Sequence, residues 1–313
     1  MKGAAAVTPT VGVVGLGIMG SAMAHNMLKA GFRVIGYDIV PASRIAFARE
    51  GGTVARSPAD VARRAPVVIT SLPTTAAVDA VAAEIAAVKP KGLVVVETST
   101  MPLETKERAQ KVLARAGVTM MDCPLSGTGA QARVKDLLVY ASGPKSGFDR
   151  CKDIFPGFSK GHYYLGAFGN GSKMKYIANH LVAIHNVAAG EAMTLASKAG
   201  LDLQQVLDVV AGGAGGSRMF QVRGPMMVAN DYSDATMKVE VWQKDMHIIG
   251  EFATQLDCPV PLFATSAPIY TAAMASGYAK DDTAVVCAVL ENMAGVKRAP
   301  AKKRKAKPAS KRK

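Results

Sequence analysis

Residues 11–40, VGVVGLGIMGSAMAHNMLKAGFRVIGYDIV, set a Gly15-x-Gly17-x-x-Gly20 turn between an apolar run and an amphipathic one, and close a second apolar run at Asp38. Val11, Val13 and Val14 are β-formers leading into the first glycine, and Met23, Met27 and Leu28 recur at helical spacing after the last. The segment therefore reads as strand, tight turn, helix and strand. In such a unit Gly15 permits the turn, Gly17 lets a pyrophosphate approach the backbone, and Gly20 lets the helix pack closely on the strand. The helix N-terminus then faces the phosphates, and Leu16, Ile18 and Met19 belong to the same cofactor-facing turn. Asp38 is placed to accept hydrogen bonds from the adenosine ribose hydroxyls. Its charge repels a 2′-phosphate, so the expected cofactor is NAD rather than NADP.

With 313 residues the chain is long enough for two cores. Its 49% hydrophobic and 20% charged residues describe a globular protein, and no apolar run is long enough to span a membrane. Only Lys2 precedes an N-terminal apolar run that flows straight into the glycine turn, so that run reads as strand rather than signal peptide. Cys123, Cys151, Cys258 and Cys287 lack CxxC spacing, which favours neither a zinc site nor a disulfide framework and fits a reducing cytoplasm. The net charge of +14 is concentrated at the C-terminus: residues 297–313, KRAPAKKRKAKPASKRK, hold ten Lys/Arg and no acid, leaving 28 basic against 24 acidic residues elsewhere. With only Ala, Pro and Ser besides, this segment is expected to be a disordered, solvated tail. Nucleic-acid binding through it by counterion release is the alternative.

Short apolar runs at 67–72 (VVITSL), 92–97 (GLVVVE), 118–122 (VTMMD) and 137–141 (LLVYA) continue the strand and helix alternation of a parallel sheet. The Leu72-Pro73-Thr74 turn and the 98–102 turn end strands where ligands bind in such sheets, so Leu72, Pro73 and Thr100 are expected to line the cofactor crevice. From Gly166 onward strand-like alternation is absent. Met174, Ile177, Leu181, Ile184 and Ala188 repeat at spacings of three and four within one long helix over 172–200, with Gly200 as its cap, and Asp202 with Gln205 opens the next. Further helices are expected at 203–210, 235–255, 263–276 and 283–293. The chain is thus read as an α/β Rossmann domain (1–168), an all-helical substrate and dimerisation domain (169–296) and a disordered basic tail (297–313). A long helix of this kind often packs against a partner subunit, which points to a homo-oligomer.

Three segments carry candidate chemistry. Asp122-Cys123-Pro124-Leu125-Ser126-Gly127-Thr128-Gly129 presents a hydroxyl and free backbone amides in an open turn, suited to a carboxylate. At the start of the long helix Lys175 and Asn179 stand four apart and share a face, where an ammonium and an amide are able to grip one substrate oxygen. Lys244-Asp245 is most simply a surface ion pair. None of His25, His162, His180, His185 and His247 has a motif around it.

Taken together, these segments resemble the 3-hydroxyacid dehydrogenase family, which includes 3-hydroxyisobutyrate dehydrogenase and tartronate semialdehyde reductase and is related to 6-phosphogluconate dehydrogenase. The resemblance runs from about Thr10 to Lys297. It implies that Gly15, Gly17, Gly20 and Asp38 hold NAD, that Thr100 lies near the nicotinamide, and that Ser126 and Gly127 bind the substrate carboxylate. It further implies that Lys175 is the catalytic lysine, Asn179 its substrate partner and Lys244 a distal cofactor contact. The implied reaction is reversible hydride transfer to or from a small hydroxy acid or semialdehyde in a homodimer or homotetramer. Candidate substrates are 3-hydroxyisobutyrate, glycerate with tartronate semialdehyde, and threonate-like acids. Two positions depart from the family pattern: Thr128 stands where a second glycine is usual, and Ala178 and His180 flank Asn179 where two amides usually pair. Imine reductases share the fold but lack the lysine, so Lys175 argues against that alternative.

Overall fold

A computed structural model describes residues 9–298. These divide into two compact units after Asn179.

The first unit opens with β1 (Thr10–Val14), α1 (Ile18–Lys29) and β2 (Arg33–Tyr37), the expected strand, turn, helix and strand. There follow α2 (Pro41–Arg49), β3 (Thr53–Val54), α3 (Pro58–Arg64), β4 (Val67–Thr70), α4 (Thr75–Ala87), β5 (Val94–Glu97), α5 (Leu103–Arg115) and β6 (Thr119–Asp122). The six strands form one parallel sheet in the order β3-β2-β1-β4-β5-β6, the doubly wound arrangement whose order reverses beside β1. Both faces are covered, and every residue of β4 and β5 is buried, which is why these strands read as continuous apolar runs rather than alternating ones. One core lies against α1, with Met23 and Met27 fully buried; the other lies against α4 and α5, with Ile85 and Leu113.

The strand expected at 137–141 does not join this sheet. After β6 the chain forms β7 (Leu125–Ser126), α6 (Gly129–Arg133), β8 (Leu138–Ala141), α7 (Lys145–Cys151), a 3₁₀ turn over Lys152–Gly157, and β9 (Gly161–Tyr164). Strands β7, β8 and β9 make a separate three-stranded sheet. Pro124 has no N–H to continue the β6 ladder, and the short β7 beyond it runs antiparallel to β8, with Ser126 opposite Leu138.

Helix α8 (Asn170–Lys198) is the long helix, 29 residues, and its first ten residues group with the sheet unit. Of the expected apolar stripe, Met174, Ile177, Leu181 and Ala188 are exposed and Ile184 is half-buried, while Tyr176, Asn179, Ala183, Asn186, Val187 and Met193 are buried. The second unit continues with α9 (Leu203–Val210), α10 (Arg218–Ala229), α11 (Val239–Gln255), α12 (Pro261–Ala275) and α13 (Val286–Met293), and none of its described residues forms a strand. Gly200 has φ +77° after α8, and Asp202 caps α9 by accepting from Gln205 N at 2.8 Å, as the sequence indicates. Helix α10 was not anticipated, because the glycines at 212–216 and the internal Gly224-Pro225 read as loop. Ser217 nevertheless caps it at Phe220 N. At the end of the described chain the Arg298 guanidinium lies 2.8 Å from Glu291 and donates to Met227 O. Arg298 is thus docked on the helical unit rather than part of a solvated tail, and the rest of the basic segment lies outside the described residues.

Candidate active site

The glycine turn is built for two different reasons. Gly15 has φ +91°, and a Cβ there would lie 2.1 Å from Ser71 O; a Cβ on Gly20 would lie 1.8 Å from Gly15 O. Both glycines are therefore dictated by close backbone approach inside the protein. A Cβ on Gly17 would meet no atom within 4 Å. Gly17 is also the N-cap of α1, without a side-chain hydrogen bond to the first turn. Donors at this end thus point to open space with the positive end of the helix dipole, and the residues present fit a pyrophosphate. Asp38 follows β2 and is half-buried. Its Oδ2 accepts from Leu16 N at 2.6 Å and its Oδ1 from Val40 N at 2.8 Å, so each oxygen keeps acceptor capacity for a ribose hydroxyl. Arg44 donates to the Asp38 and Ile39 carbonyls and holds the chain beyond the acid. The neighbouring strand ends are tied in: Ser71 N donates to Val14 O, and Leu72 N donates to Ser99 Oγ at 2.8 Å, so Leu72, Pro73 and Thr100 follow adjacent strands at the carboxyl end of the sheet.

The residues expected on the substrate side lie near the end of β6. Ser126 ends β7, and Gly127 has φ +136°, a conformation that a side chain rarely takes. Thr128 explains its own departure from the family pattern by capping α6: its Oγ1 accepts from Gln131 N, and Gln131 Oε1 accepts from Thr128 N at 3.0 Å. Lys175 is half-buried and Asn179 buried, one turn apart on α8. The first turn of α8 is bonded to Asp122, whose Oδ2 accepts from Ser172 N at 2.7 Å and whose Oδ1 accepts from Ser172 Oγ at 2.9 Å. The strand that leads into Ser126 and the helix that carries Lys175 are thereby joined.

Lys106, buried on α5, was missed by the sequence reading. Its Nζ lies 2.8 Å from Glu97 Oε2 and 2.7 Å from Asp122 Oδ1. Burial alone lowers an ammonium pKa, but Asp122 and Glu97 outweigh it and hold this one above its ordinary value. A signal was present: Lys106 stands three and seven residues before Ala109 and Leu113, on the buried face of an otherwise charged helix. In the second unit, His180 stacks on Phe263 with ring centroids 5.4 Å apart, and burial lowers its pKa. Lys244, on α11, lies 2.9 Å from Asp245 Oδ1. Among the described residues no cluster of His, Cys, Asp or Glu is placed to hold a metal ion, and no helix is long and apolar enough to cross a membrane.

A parallel sheet with this strand order, a glycine turn open at one position and an acid at the end of the second strand define a protein of the nicotinamide-dinucleotide-binding class. Known proteins narrow the class. Residues 10–166 match the model of the NAD binding domain of 6-phosphogluconate dehydrogenase, and residues 169–290 match that described as NAD-binding of NADP-dependent 3-hydroxyisobutyrate dehydrogenase. L-threonate dehydrogenase of Cupriavidus necator is 34% identical over 88% of this chain and 94% of its own. Human mitochondrial 3-hydroxyisobutyrate dehydrogenase is 32% identical over 90% of this chain and 86% of its own. Among solved structures, 3-hydroxyisobutyrate dehydrogenase from Salmonella typhimurium superposes with a TM-score of 0.81 at 31% identity, covering 90% of this chain and 99% of that one. An imine reductase from Pseudomonas sp. shares the fold at 20% identity, with a TM-score of 0.60, 90% of this chain and 99% of that one. The chain belongs to the 3-hydroxyacid dehydrogenase family and is an NAD-binding oxidoreductase of that family.

Proposed function

We propose that this oxidoreductase transfers hydride reversibly at the hydroxyl-bearing carbon of a small hydroxy acid, with NAD preferred over NADP. The observation that carries the reading is the placement of Lys175 and Asn179 on successive turns of a helix bonded to Asp122, just ahead of Ser126. The Ser126 hydroxyl and the backbone at Gly127 bind the substrate carboxylate. Lys175, as ammonium, donates a hydrogen bond and then a proton to the carbonyl oxygen in the reducing direction; in the oxidising direction it starts neutral and takes the hydroxyl proton. Asn179 orients the same oxygen. NAD, held by the glycine turn and Asp38, supplies or accepts the hydride. Lys244 acts on cofactor affinity rather than on proton transfer. Lys175 also favours this reading over imine reduction, since an oxygen gaining negative charge needs the proton that it supplies.

The substrate class is best tested with a panel of hydroxy acids monitored for NADH formation. L-threonate and 3-hydroxyisobutyrate head the panel because proteins named for them are over 30% identical to this chain. Turnover confined to acids with a hydroxyl on the carbon chain supports the assignment, and no turnover of any member with either cofactor refutes it. The outward apolar face of α8, formed by Met174, Ile177, Leu181 and Leu195, supports a homodimer or homotetramer. Sedimentation as a monomer at micromolar concentration would count against that. Four free cysteines, three of them buried, fit a reducing cytoplasm. Nucleic-acid binding by the basic tail is the less favoured reading and predicts steeply salt-dependent DNA affinity that disappears on truncation.

A further inference from the structure

The Lys106, Glu97 and Asp122 cluster is wholly buried and takes no part in the proton and hydride transfers proposed above. Taking three charges out of water is costly, and an apolar trio of equal volume often stabilises a core as well or better. Its connections show what else it does. Glu97 ends β5, and its Oε1 accepts from Ser99 N at 2.9 Å; Ser99 Oγ in turn accepts from Leu72 N. That branch fixes the turn bearing Thr100. Asp122 ends β6 and accepts from Ser172 twice, while Ser142 Oγ donates to it at 3.2 Å and accepts from Gly171 N at 2.9 Å. A Cβ on Gly171 would lie 2.4 Å from Tyr140 O and 2.7 Å from Asp122 O, so α8 begins in direct backbone contact with this strand end. Tyr176, next to Lys175, donates to Met101 O at 2.5 Å and ties the following turn of α8 back to the start of α5.

We propose that Lys106 is a positioning residue: by bridging Glu97 and Asp122 it sets the distance between the Thr100 turn and Lys175, and so holds the proton donor against the reacting oxygen. The inference rests on the role of Lys175 proposed above. An error of about 1 Å between reacting groups costs up to about 100-fold in rate while the glycine turn and Asp38, at the ends of β1 and β2, stay in place.

The test is Lys106→Met, which keeps length and apolar stem but removes the ammonium, measured on the best substrate of the hydroxy acid panel. Expected are a kcat loss of roughly 10–100-fold and an NADH dissociation constant changed by less than about threefold. Rescue by a second substitution separates positioning from general damage. Without the ammonium, Glu97 and Asp122 face each other as like charges across the gap that it bridged. Adding Glu97→Gln to Lys106→Met removes one of those charges and restores part of kcat. Wild-type kcat in Lys106→Met, or equal losses in kcat and NADH affinity with no rescue, overturns the proposal. If Lys106→Met yields no soluble protein, Glu97→Gln alone decides: a kcat-selective loss supports the role and wild-type kcat refutes it. Lys175→Ala measured alongside keeps the two readings apart, since full turnover there removes the proposed chemistry, whereas a dead Lys175→Ala beside an unaffected Lys106→Met removes only the positioning role.

Discussion

Replacing Asp38 by Asn is the sharpest test of cofactor choice, because both carboxylate oxygens already serve the protein. Oδ2 accepts from Leu16 N at 2.6 Å and Oδ1 from Val40 N at 2.8 Å. An amide keeps one acceptor and turns an NH₂ toward the other backbone N–H, so one turn contact is lost whichever way it is oriented. On the cofactor side, a ribose hydroxyl donating to a charged acceptor contributes about 1.5–3 kcal/mol, and weakening it corresponds to roughly 10–150-fold in the NADH dissociation constant. For NADPH the sign reverses, since the carboxylate no longer repels the 2′-phosphate. Asp38 is half-buried, and solvent screening reduces that repulsion to about 1–2 kcal/mol, or roughly tenfold. The unmodified protein should therefore bind NADH at least about tenfold more tightly than NADPH, and Asp38→Asn should bring the two to near parity or invert them. Calorimetric titration with both cofactors measures the ratio. Reduced nicotinamide mononucleotide, which lacks the adenosine ribose, is the control: equal affinity in both proteins shows that the glycine turn itself is intact. An unmodified protein that prefers NADPH, or a ratio unchanged by Asp38→Asn, would refute the reasoning.

Lys175→Ala should lower kcat by roughly two to four orders of magnitude with NADH affinity nearly unchanged, and Lys175→Arg should recover little, because a guanidinium does not deprotonate; steady-state kinetics beside NADH titration decide both. Ser126→Ala should raise KM for the acid while sparing NADH binding, and equal losses in both would place the loop elsewhere. Gly17→Ala should fold normally and lose NADH affinity, whereas Gly20→Ala, whose Cβ would lie 1.8 Å from Gly15 O, should lose thermal stability; equal melting temperatures for the two variants would contradict the packing argument. Truncation after Arg298 should leave the melting temperature unchanged, while truncation that also removes Arg298 should lower it, because Glu291 loses the guanidinium 2.8 Å away.

The parallel sheet was legible because its strands are buried on both faces and therefore appear as unbroken apolar runs bounded by turns. The glycine turn and Asp38 were legible because each residue type answers a backbone or hydrogen-bonding need that the sequence spacing already fixes. The segment 137–141 shows the limit: a five-residue apolar run has the same pattern in either sheet, and the choice was made by Pro124 and by pairing with β7, a strand of only two residues. The Lys106 cluster was hidden for a different reason. A lysine among Glu104, Glu107 and Arg108 looks like part of a solvated face, and its burial depends on Glu97 and Asp122, carboxylates at the ends of the strands before and after its helix that only the folded sheet brings together around it.

Helix α8 buries two amides among apolar residues and leaves other apolar residues outside, so its sequence stripe does not by itself mark the buried face. Its buried side carries Asn179 and Asn186, and Asn186 is engaged by Arg223 at 3.1 Å and donates to Tyr270 at 3.2 Å, so these amides are satisfied inside the protein. The apolar residues at 174, 177, 181 and 195 are left outside. Periodicity measures the angle between two faces but carries no sign, and the sign here follows from partners for the amides that only tertiary structure supplies. The buried side also carries Tyr176, Ala183, Val187 and Met193, so α8 has apolar residues on two faces and a hydrophobic count selects neither. Covering the outer face with a second copy of the same helix is the arrangement we propose for the homo-oligomer, and sedimentation as a monomer would count against it.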